Sequence, residues 1–411
     1  MYFIKINSKM LLKSEIEDVF NAQQLVLKKD LMTSRNYLVE HTFKGKQVEV
    51  ISGIRRSGKS TLMRMIMAHY APNVVCFNFE DSRIFGFDVT DFKRLDEIIG
   101  ENHPVYFFDE IQNVENWEIF VRQLHERGEK IFVTGSNASL LSKELGTKLT
   151  GRYLSHELFP FAYNEFLDHT KQENNLISFE NYRKLGGFPE FLDTQNTDVL
   201  QTLLRDILFR DIAIRYGIRN TKILFDIALH LLSNVGKETT FNSLRKTFDV
   251  GSTNSVSDYL KWLEDTYILF FLPRFSWSPK SVLVNPRKVY AIDTGFVQAN
   301  TLSRSADAGR LLENLVYLFL RQQTTELFYF REKGECDFVV MEKGTCKQVI
   351  QVCEQLHSEN KNREIVGLLE AMQFFGLEEG YIYTLDQEDA FVVDGKRVIV
   401  KKVREIFIHR K

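Results

Sequence analysis

Residues 53–60, G-I-R-R-S-G-K-S, constrain this chain most, because they fit G-x-x-x-x-G-K-[ST] at every fixed position. The apolar-rich residues 48–51 before them predict a strand, and residues 61–67 after them predict a helix. A strand, a glycine turn and a helix N-terminus together form a phosphate cradle, since backbone N–H groups point at the anion. The run therefore predicts a phosphate-binding loop in an α/β domain, where Gly58 takes dihedral angles that a Cβ would forbid.

The residues of the loop have separate expected roles. Lys59 should reach the β- and γ-phosphates of a nucleotide, and the Ser60 hydroxyl should ligate Mg²⁺. The side chains of Arg55 and Arg56 should point away from the phosphates. ATP and Mg²⁺ are thus the predicted cofactors, and the residues expected around the nucleotide are Gly53, Ile54, Arg55, Arg56, Ser57, Gly58, Lys59, Ser60 and Thr61.

A second motif follows at residues 105–110, where four apolar residues end in Asp109 and Glu110. If the apolar run is a buried strand, both acids lie at its carboxyl end. Asp109 should then hold Mg²⁺, directly or through water, and Glu110 should act as general base on the attacking water. The alternative is a strand that happens to end in surface acids.

Polar residues also follow the next predicted strand, residues 130–134. Asn137, or else Ser136, is expected to hold the attacking water or contact the γ-phosphate, although both residue types also favour helix caps and turns. Arg152 is a candidate finger or sensor for γ-phosphate charge, in the same subunit or from a neighbour, because its guanidinium is rigid and always charged. The alternative is an ordinary surface arginine.

Length and composition set the frame for these motifs. A chain of 411 residues predicts two to four domains. Its 53 basic and 55 acidic residues leave a net charge of −2, so no global field draws it to nucleic acid or membrane. The four cysteines form no C-x-x-C pair. Without a secretory leader or a long apolar stretch, we expect a cytoplasmic protein with no membrane partner.

The pattern along the chain predicts four regions: an α/β domain over 1–165, a helical region over 166–235, a winged helix-turn-helix over 236–298 and a second α/β domain over 299–411. Strands alternate with helices between 48 and 134, which indicates a parallel sheet covered by helices on both faces. A first helix is expected over 14–30, capped by Ser14. Further helices are expected over 241–248 and 252–271, followed by a strand over 283–292.

The predicted winged helix has DNA as one candidate partner and a protein contact as the other. The candidate groove-facing residues are Ser252, Thr253, Asn254, Ser255 and Lys261. A local basic rim is expected from Arg245, Lys246, Arg274, Lys280, Arg287 and Lys288. The long helix itself carries little positive charge, whereas phosphate contacts dominate affinity for DNA.

The C-terminal region contains a weakened nuclease-like pattern. A metal-dependent nuclease of the restriction-endonuclease type needs an Asp and then Glu-x-Lys on the next strand, so that carboxylates hold Mg²⁺ and the lysine orients water. Here Glu313 and Asp337 supply carboxylates, but Gln351 and Cys353 stand in the Glu and Lys positions. Because a thiol cannot replace an ammonium, we expect this site to be inactive.

These motifs together resemble a large group of prokaryotic AAA+ ATPases, in which the AAA domain precedes a C-terminal domain of unknown function. The residues that carry the resemblance are 51–60, 108–112, 134–141, 149–152, 158–161, 186–190 and 289–295. The resemblance implies an AAA+ P-loop NTPase fold with ATP and Mg²⁺, a winged helix, and a C-terminal restriction-endonuclease-like fold. It implies no biological role.

Three functions follow as hypotheses. The first is an Mg²⁺-dependent ATPase whose turnover rearranges C-terminal DNA- or protein-binding domains. The second is a nucleotide switch with slow hydrolysis, and the third is a DNA-processing enzyme with a weak nuclease domain. A homo-oligomer or a protein partner is compatible with the first two hypotheses.

Overall fold

The computed structural model describes residues 11–26, 33, 35, 43, 45–100, 104–137, 149, 151–301 and 308–408. The chain divides into two compact units, Met1–Leu158 and Phe159–Lys411. The predicted first boundary at residue 165 is close to this division. The predicted boundaries at 235 and 298 fall inside the second unit and stay predictions.

The first unit contains a five-stranded parallel sheet with strand order β2-β3-β4-β1-β5. Its strands are β1 (Val48–Ser52), β2 (Val74–Asn78), β3 (Val105–Asp109), β4 (Ile131–Gly135) and β5 (Tyr153–Glu157). Its described helices are α1 (Lys13–Val26), α2 (Lys59–Tyr70), α3 (Asp91–Ile99) and α4 (Trp117–Glu126), with short 3₁₀ turns at Ser82–Ile84 and Ile111–Asn113. Since all five strands run the same way, their carboxyl ends meet at one edge.

The central strands are mostly apolar because both faces of the sheet are buried, and their polar members Glu49, Ser52 and Thr134 are buried as well. Successive side chains of a strand point to opposite faces. Val50 therefore belongs to one buried cluster and Ile51 to the other. On the second face Phe107 and Phe132 stack with ring centroids 4.7 Å apart. This double burial fixes the register of the strands, because a shift of one residue would exchange the two faces.

The sequence missed one strand of this sheet. Strand β5 lies at the edge beside β1, and its five side chains are exposed or only partly buried. It therefore shows no apolar run. The first helix begins at Lys13, so Ser14 lies inside it and is not its cap. The expected extension of that helix to residue 30, and the helix expected after Asn137, lie outside the described residues.

The second unit begins with helices, as expected. They are α5 (Tyr163–Thr170), α6 (Leu176–Leu185), α7 (Pro189–Thr194), α8 (Asp198–Asp206), a π-helical stretch at Ile207–Ile214, and α9 (Thr221–Leu232). An antiparallel three-stranded sheet with order β6-β8-β7 follows. Its strands and helices are β6 (Glu238–Thr239), α10 (Phe241–Thr247), α11 (Thr253–Asp265), β7 (Leu269–Pro273), α12 (Pro279–Val284) and β8 (Arg287–Ala291).

Two expected bounds in this region are wrong. The helix expected over 252–271 ends at Asp265, because Tyr267 takes a left-handed φ of 63° and the chain then enters β7. The strand expected over 283–292 is shorter, since Pro279–Val284 is helical and begins at a Ser278 cap. Pro at the first helical position explains this start.

The remainder of the second unit is α/β, as predicted from the pattern. It contains α13 (Thr294–Asn300), α14 (Ala308–Arg321), α15 (Lys361–Phe375) and α16 (Val403–Ile408). Its mixed sheet has order β13-β14-β12-β11-β10-β9 and is formed by β9 (Leu327–Arg331), β10 (Glu335–Glu342), β11 (Thr345–Val352), β12 (Glu379–Thr384), β13 (Asp389–Val393) and β14 (Lys396–Lys402). Neither α15 nor β13 was expected from the sequence.

A buried aspartate connects two of the sequence motifs in this unit. Asp293 caps α13 by accepting the Phe296 N–H (2.8 Å), and its other oxygen accepts the Gly187 N–H (2.6 Å). A Cβ on Gly187 would lie 2.2 Å from the Phe161 carbonyl oxygen, so only glycine allows the backbone of residue 187 to lie this close to Phe161. Burial raises the pKa of Asp293 to about 6, against the opposing effect of these backbone donors. These motif residues thus have a packing role.

Candidate nucleotide site in the first unit

The phosphate loop connects the carboxyl end of β1 to the first residue of α2. Gly58, which precedes the helix, has a φ of 95°. A Cβ on Gly53 would lie 2.2 Å from the carbonyl oxygen of Leu158. The two glycines of the motif are therefore required by backbone conformation and by close approach, as the sequence predicted for Gly58.

Lys59 is buried in the centre of the site and is 4% exposed. Its Nζ donates to the carbonyl oxygens of Gly53 (3.0 Å) and Ile54 (3.1 Å). It also forms an ion pair with Glu110, at 3.5 Å from Oε1. The side chain of the loop lysine thus lies along its own loop and reaches the acid predicted as general base.

Asp109 ends β3 beside the N-terminus of α2. Its carboxylate accepts hydrogen bonds from the hydroxyls of Thr134 and Ser60. Burial and the charge of Glu110 raise the pKa of Asp109, while the two hydroxyls and Lys59 oppose that rise. The two residues predicted as Mg²⁺ ligands, Ser60 and Asp109, are therefore adjacent. Hydroxyl and carboxylate oxygens are a donor set that suits this cation.

Glu110 follows Asp109 in a left-handed conformation, with a φ of 52°. Its N–H donates to Thr134 Oγ1 (3.0 Å). Burial disfavours the charged carboxylate, but the charge of Lys59 and hydrogen bonds from Gln112 and Ser136 outweigh it and lower the pKa of Glu110. The residue is consequently ionised near neutral pH and able to accept a proton.

Gln112 and Thr134 belong to the site, although the sequence analysis gave neither a role. The Gln112 amide donates to Glu110 Oε2 and lies 3.5 Å from Ser136 Oγ. Thr134 connects both acids, since its hydroxyl donates to Asp109 and accepts from the Glu110 backbone. The available signal was their position in the sequence: Thr134 is the penultimate residue of β4, next to β3, and Gln112 lies two residues after the predicted general base.

The other residues predicted for the site lie partly at the carboxyl edge of the sheet, beside the loop, and partly at its amino edge. Ser136 and Asn137 follow β4 at the carboxyl edge, and both are buried. Arg55 turns towards Glu80, with which it forms an ion pair at 2.7 Å, consistent with its expected direction.

Arg152 lies elsewhere. Its carbonyl oxygen accepts the N–H of Val48, the first residue of β1, whereas the loop follows the last residue, Ser52. Four residues of strand separate these ends by roughly 13 Å. The Arg152 side chain is 45% exposed and pairs with Glu126 at 3.2 Å. A sensor role within the same subunit is therefore incompatible with this position, and only a role towards a neighbouring subunit stays a prediction.

The loop fits a nucleotide phosphate by its own unsatisfied chemistry. Ser57 Oγ is buried and has no hydrogen-bond partner among the described residues. Lys59 is the cation of the loop, and its Nζ can exchange the two carbonyl oxygens and the more distant Glu110 carboxylate for a phosphate oxygen. A phosphate oxygen would offer an acceptor to both groups at the N-terminus of α2, where the helix dipole favours an anion.

Comparison with known proteins agrees with this geometry. Residues 45–167 match the AAA domain family, and residues 176–307 match a domain of unknown function (DUF8612). The uncharacterized protein MJ1544 of Methanocaldococcus jannaschii is 33% identical over 97% of this chain and 96% of its own length. The chain belongs to the same family as MJ1544.

Two other similar proteins share less sequence identity with this chain. An uncharacterized protein of Haemophilus influenzae is 31% identical over 72% of this chain and 80% of its own length. Among solved structures, the RuvB Holliday junction branch migration motor of Thermotoga maritima has a TM-score of 0.30 and 14% identity, covering 68% of this chain and 92% of that one. The AAA match contains the phosphate loop, so the expected AAA+ P-loop fold is confirmed for the N-terminal part of this member of the MJ1544 family.

The residues predicted to bind DNA in the second unit have mixed positions. Asn254 and Lys261 are exposed on α11, whereas Ser252 caps that helix by accepting the Ser255 N–H (3.0 Å). Lys288 was expected in a basic rim, and this is wrong, because it is 2% exposed and surrounded by carboxylates. DNA binding by the remaining residues stays a prediction. None of the helices described is long and apolar enough to cross a membrane.

The nuclease-like residues are brought together in the second unit. Glu313 on α14 and Asp337 on β10 both contact Lys288. Gln351 Oε1 accepts the Asp337 N–H at 3.3 Å, and burial raises the pKa of the Cys353 thiol to about 12. These predicted positions therefore lie close together, and Lys288, to which the sequence gave no place among them, lies between Glu313 and Asp337.

Proposed function

We propose that this member of the MJ1544 family binds ATP with Mg²⁺ and hydrolyses it. One observation carries the proposal: a buried lysine, two carboxylates and a hydroxyl predicted from separate motifs meet at the carboxyl edge of the sheet. Lys59, Ser57 and the N-terminus of α2 would hold the phosphates. Ser60 and Asp109 would hold Mg²⁺, which when bound supplies charge to the phosphate oxygens.

The chain's own groups account for the proton transfer. Glu110 is kept ionised by Lys59, Gln112 and Ser136, so it can accept a proton from water at Oε1 or Oε2. Gln112 donates to Oε2 and leaves Oε1 facing Lys59. When Lys59 turns to a phosphate, Oε1 loses this ion pair and becomes the oxygen that orients water. Asn137 is proposed to hold that water from the neighbouring strand.

The experiment compares wild type with Glu110→Gln and Lys59→Ala. Calorimetry should show ATP binding by the wild type and by Glu110→Gln but not by Lys59→Ala, and phosphate release should need Glu110. General bases contribute about 10²- to 10⁴-fold, so Glu110→Gln should reduce turnover by that order. A wild type that binds no ATP would end the proposal.

A nucleotide switch with slow hydrolysis is the second candidate, and the position of Arg152 favours it. The arginine that the sequence offered as a finger lies at the far edge of the sheet and pairs with Glu126. A finger of this kind accelerates phosphoryl transfer by about 10³–10⁵. A single subunit lacking it at its own site should be slow. Measuring turnover against protein concentration separates the two: a constant slow rate supports the switch, and a rate that rises with concentration supports an assembly.

We further propose that the nucleotide state is coupled to the second unit, whose target is DNA or a protein. The exposed Asn254 and Lys261 support DNA as one candidate. Gel shift at low salt, with and without ATP, tests it. A shift that Lys261→Ala weakens would support DNA, and no shift in either nucleotide state would leave a protein target.

A further inference from the structure

Four charged residues of the second unit meet around a buried ammonium and are here named the Lys288 cluster: Lys288, Glu313, Glu335 and Asp337. Lys288 and Asp337 are buried, whereas the side chain of Glu335 is 35% exposed. Lys288 is on β8, the middle strand of the three-stranded sheet. Its Nζ lies 2.7 Å from Glu335 Oε1, 2.7 Å from Asp337 Oδ1 and 3.0 Å from Glu313 Oε1. One ammonium thus satisfies carboxylates from helix α14 and strand β10.

Two oxygens of the cluster also accept hydrogen bonds from groups outside it. Asp337 Oδ2 accepts the Val352 N–H (2.9 Å), and Glu313 Oε1, which already contacts Lys288, also accepts the Tyr290 hydroxyl (2.6 Å). Gln351 accepts from the Asp337 backbone and donates to Glu364 Oε2 (2.8 Å). The residues that a metal-dependent nuclease would use as ligands are therefore engaged with protein groups. In the described part of the chain, no group of His, Cys, Asp and Glu is arranged to hold a metal.

We propose that Lys288 is the resident cation of this cluster and joins β8 to α14 and β10 in place of a divalent metal. A divalent cation bound to the same oxygens would lie about 2.0–2.6 Å from them, and hence close to the ammonium. Two cations at that separation repel strongly in a buried site. Lys288 has little room to withdraw, because its side chain is buried and its backbone is held by a paired strand on each side.

Further hydrogen bonds and an ion pair connect the three-stranded sheet to α14 and to the six-stranded sheet, beside the contacts made by Lys288. The Asn314 side chain accepts the Ala291 N–H (2.7 Å) and donates to the Ala291 carbonyl oxygen (3.0 Å). Arg331 pairs with Glu238 at 2.8 Å, and the Tyr329 hydroxyl donates to the same carboxylate. Together with the Lys288 cluster, these polar contacts connect the three-stranded sheet to the six-stranded sheet, so the two sheets should move as one body.

A cavity of about 1050 Å³ borders the cluster and is lined by Glu313, Glu335 and Asp337. An added metal ion can therefore reach the carboxylates from this side. Failure of the wild type to bind a metal would then reflect Lys288 and not a closed path. This access makes metal binding a sharp test of the proposal.

The test uses Tb³⁺, a hard cation whose emission is sensitised by a nearby tyrosine, on the full-length protein without nucleotide. Tyr290 touches Glu313 and supplies that tyrosine. Wild type and Asp337→Asn should give the same emission, because neither holds Tb³⁺ here. Lys288→Ala should gain emission, and Lys288→Ala combined with Asp337→Asn should lose it again.

Stability gives a second readout. In EDTA, Lys288→Ala should lower the thermal midpoint by an amount on the order of 10 °C, because uncompensated buried carboxylates are strongly destabilising. Mn²⁺ should restore part of this loss, whereas the exposed control Lys280→Ala should behave as wild type. If Lys288→Ala does not fold, the comparison of wild type with Asp337→Asn still decides. Wild-type emission that Asp337→Asn abolishes would overturn the proposal and indicate a genuine metal site.

Discussion

The most informative perturbation of the nucleotide site is Gln112→Ala, because the sequence assigned Gln112 no role. Its amide donates to Glu110 Oε2 and lies 3.5 Å from Ser136 Oγ. Glu110 itself is buried, with 7% of its surface exposed. If Glu110 is the general base, Gln112 is a positioning residue that fixes one carboxylate oxygen and keeps the group ionised. The substitution removes this donor and leaves Lys59 and Ser136 in place.

The magnitude follows from those remaining partners. A hydrogen bond to a charged group contributes about 1.5–3 kcal/mol, and each 1.4 kcal/mol corresponds to about tenfold in rate. Because Lys59 and Ser136 still contact Glu110, the low end applies, and kcat should fall about tenfold. ATP affinity should not change, since Gln112 contacts the acid and not the loop.

The pH dependence of kcat distinguishes this role from a merely structural one, because only a change in the pKa of Glu110 shifts the acid limb in a defined direction. Hydrogen bonding to the carboxylate lowers the pKa of Glu110. Without Gln112 the pKa rises, so a larger fraction of Glu110 is protonated at a given acidic pH. The rising acid limb of kcat should therefore move to higher pH in Gln112→Ala.

Steady-state phosphate release from pH 5 to 9, with calorimetry of ATP binding, measures both effects. Asn113→Ala is the matched control, because it removes an exposed amide from the same 3₁₀ turn. An unchanged kcat and an unchanged acid limb in Gln112→Ala would refute this role. A fall in kcat together with weaker ATP binding would instead indicate a disturbed loop.

Three further predictions concern other residues. Lys59→Ala should abolish calorimetric ATP binding, and retained affinity would contradict the assigned loop. Arg152→Ala should leave hydrolysis by dilute protein unchanged, and a loss of activity confined to concentrated protein would reveal a role towards a neighbouring subunit. Asp293→Asn should destabilise the fold by about 1–3 kcal/mol, because one backbone N–H then faces an amide NH₂. In the wild type the pKa of Asp293 is about 6, raised from 3.8, so its contribution to stability is present below pH 4 and is lost as pH rises through 6. The destabilisation caused by Asp293→Asn should therefore shrink as pH rises. Thermal unfolding measures it, with the exposed Asp389→Asn as control. A destabilisation independent of pH would contradict the raised pKa of the buried Asp293 carboxyl.

Local patterns determined much of the first unit. The phosphate loop, the strands β1 to β4 and the acids at the end of β3 were predictable, because each depends on residues that are neighbours in the chain. A glycine turn before a helix and a continuous apolar run have physical causes that act within about ten residues. Strand β5 was missed for the same reason, since an edge strand that is only half-buried leaves no apolar run.

Only the tertiary structure decided which distant residues meet. Arg152 follows a plausible motif, but parallel pairing of β5 with β1 places it at the edge opposite the loop. Lys288 counted as one more basic residue in the sequence, and antiparallel pairing in the three-stranded sheet carries it into a group of carboxylates. Strand order and direction set these distances, and they follow from the packing of the whole domain. The sequence by itself therefore determined the chemistry of the loop, whereas the fold decided which charges complete that site and which cation lies in the Lys288 cluster.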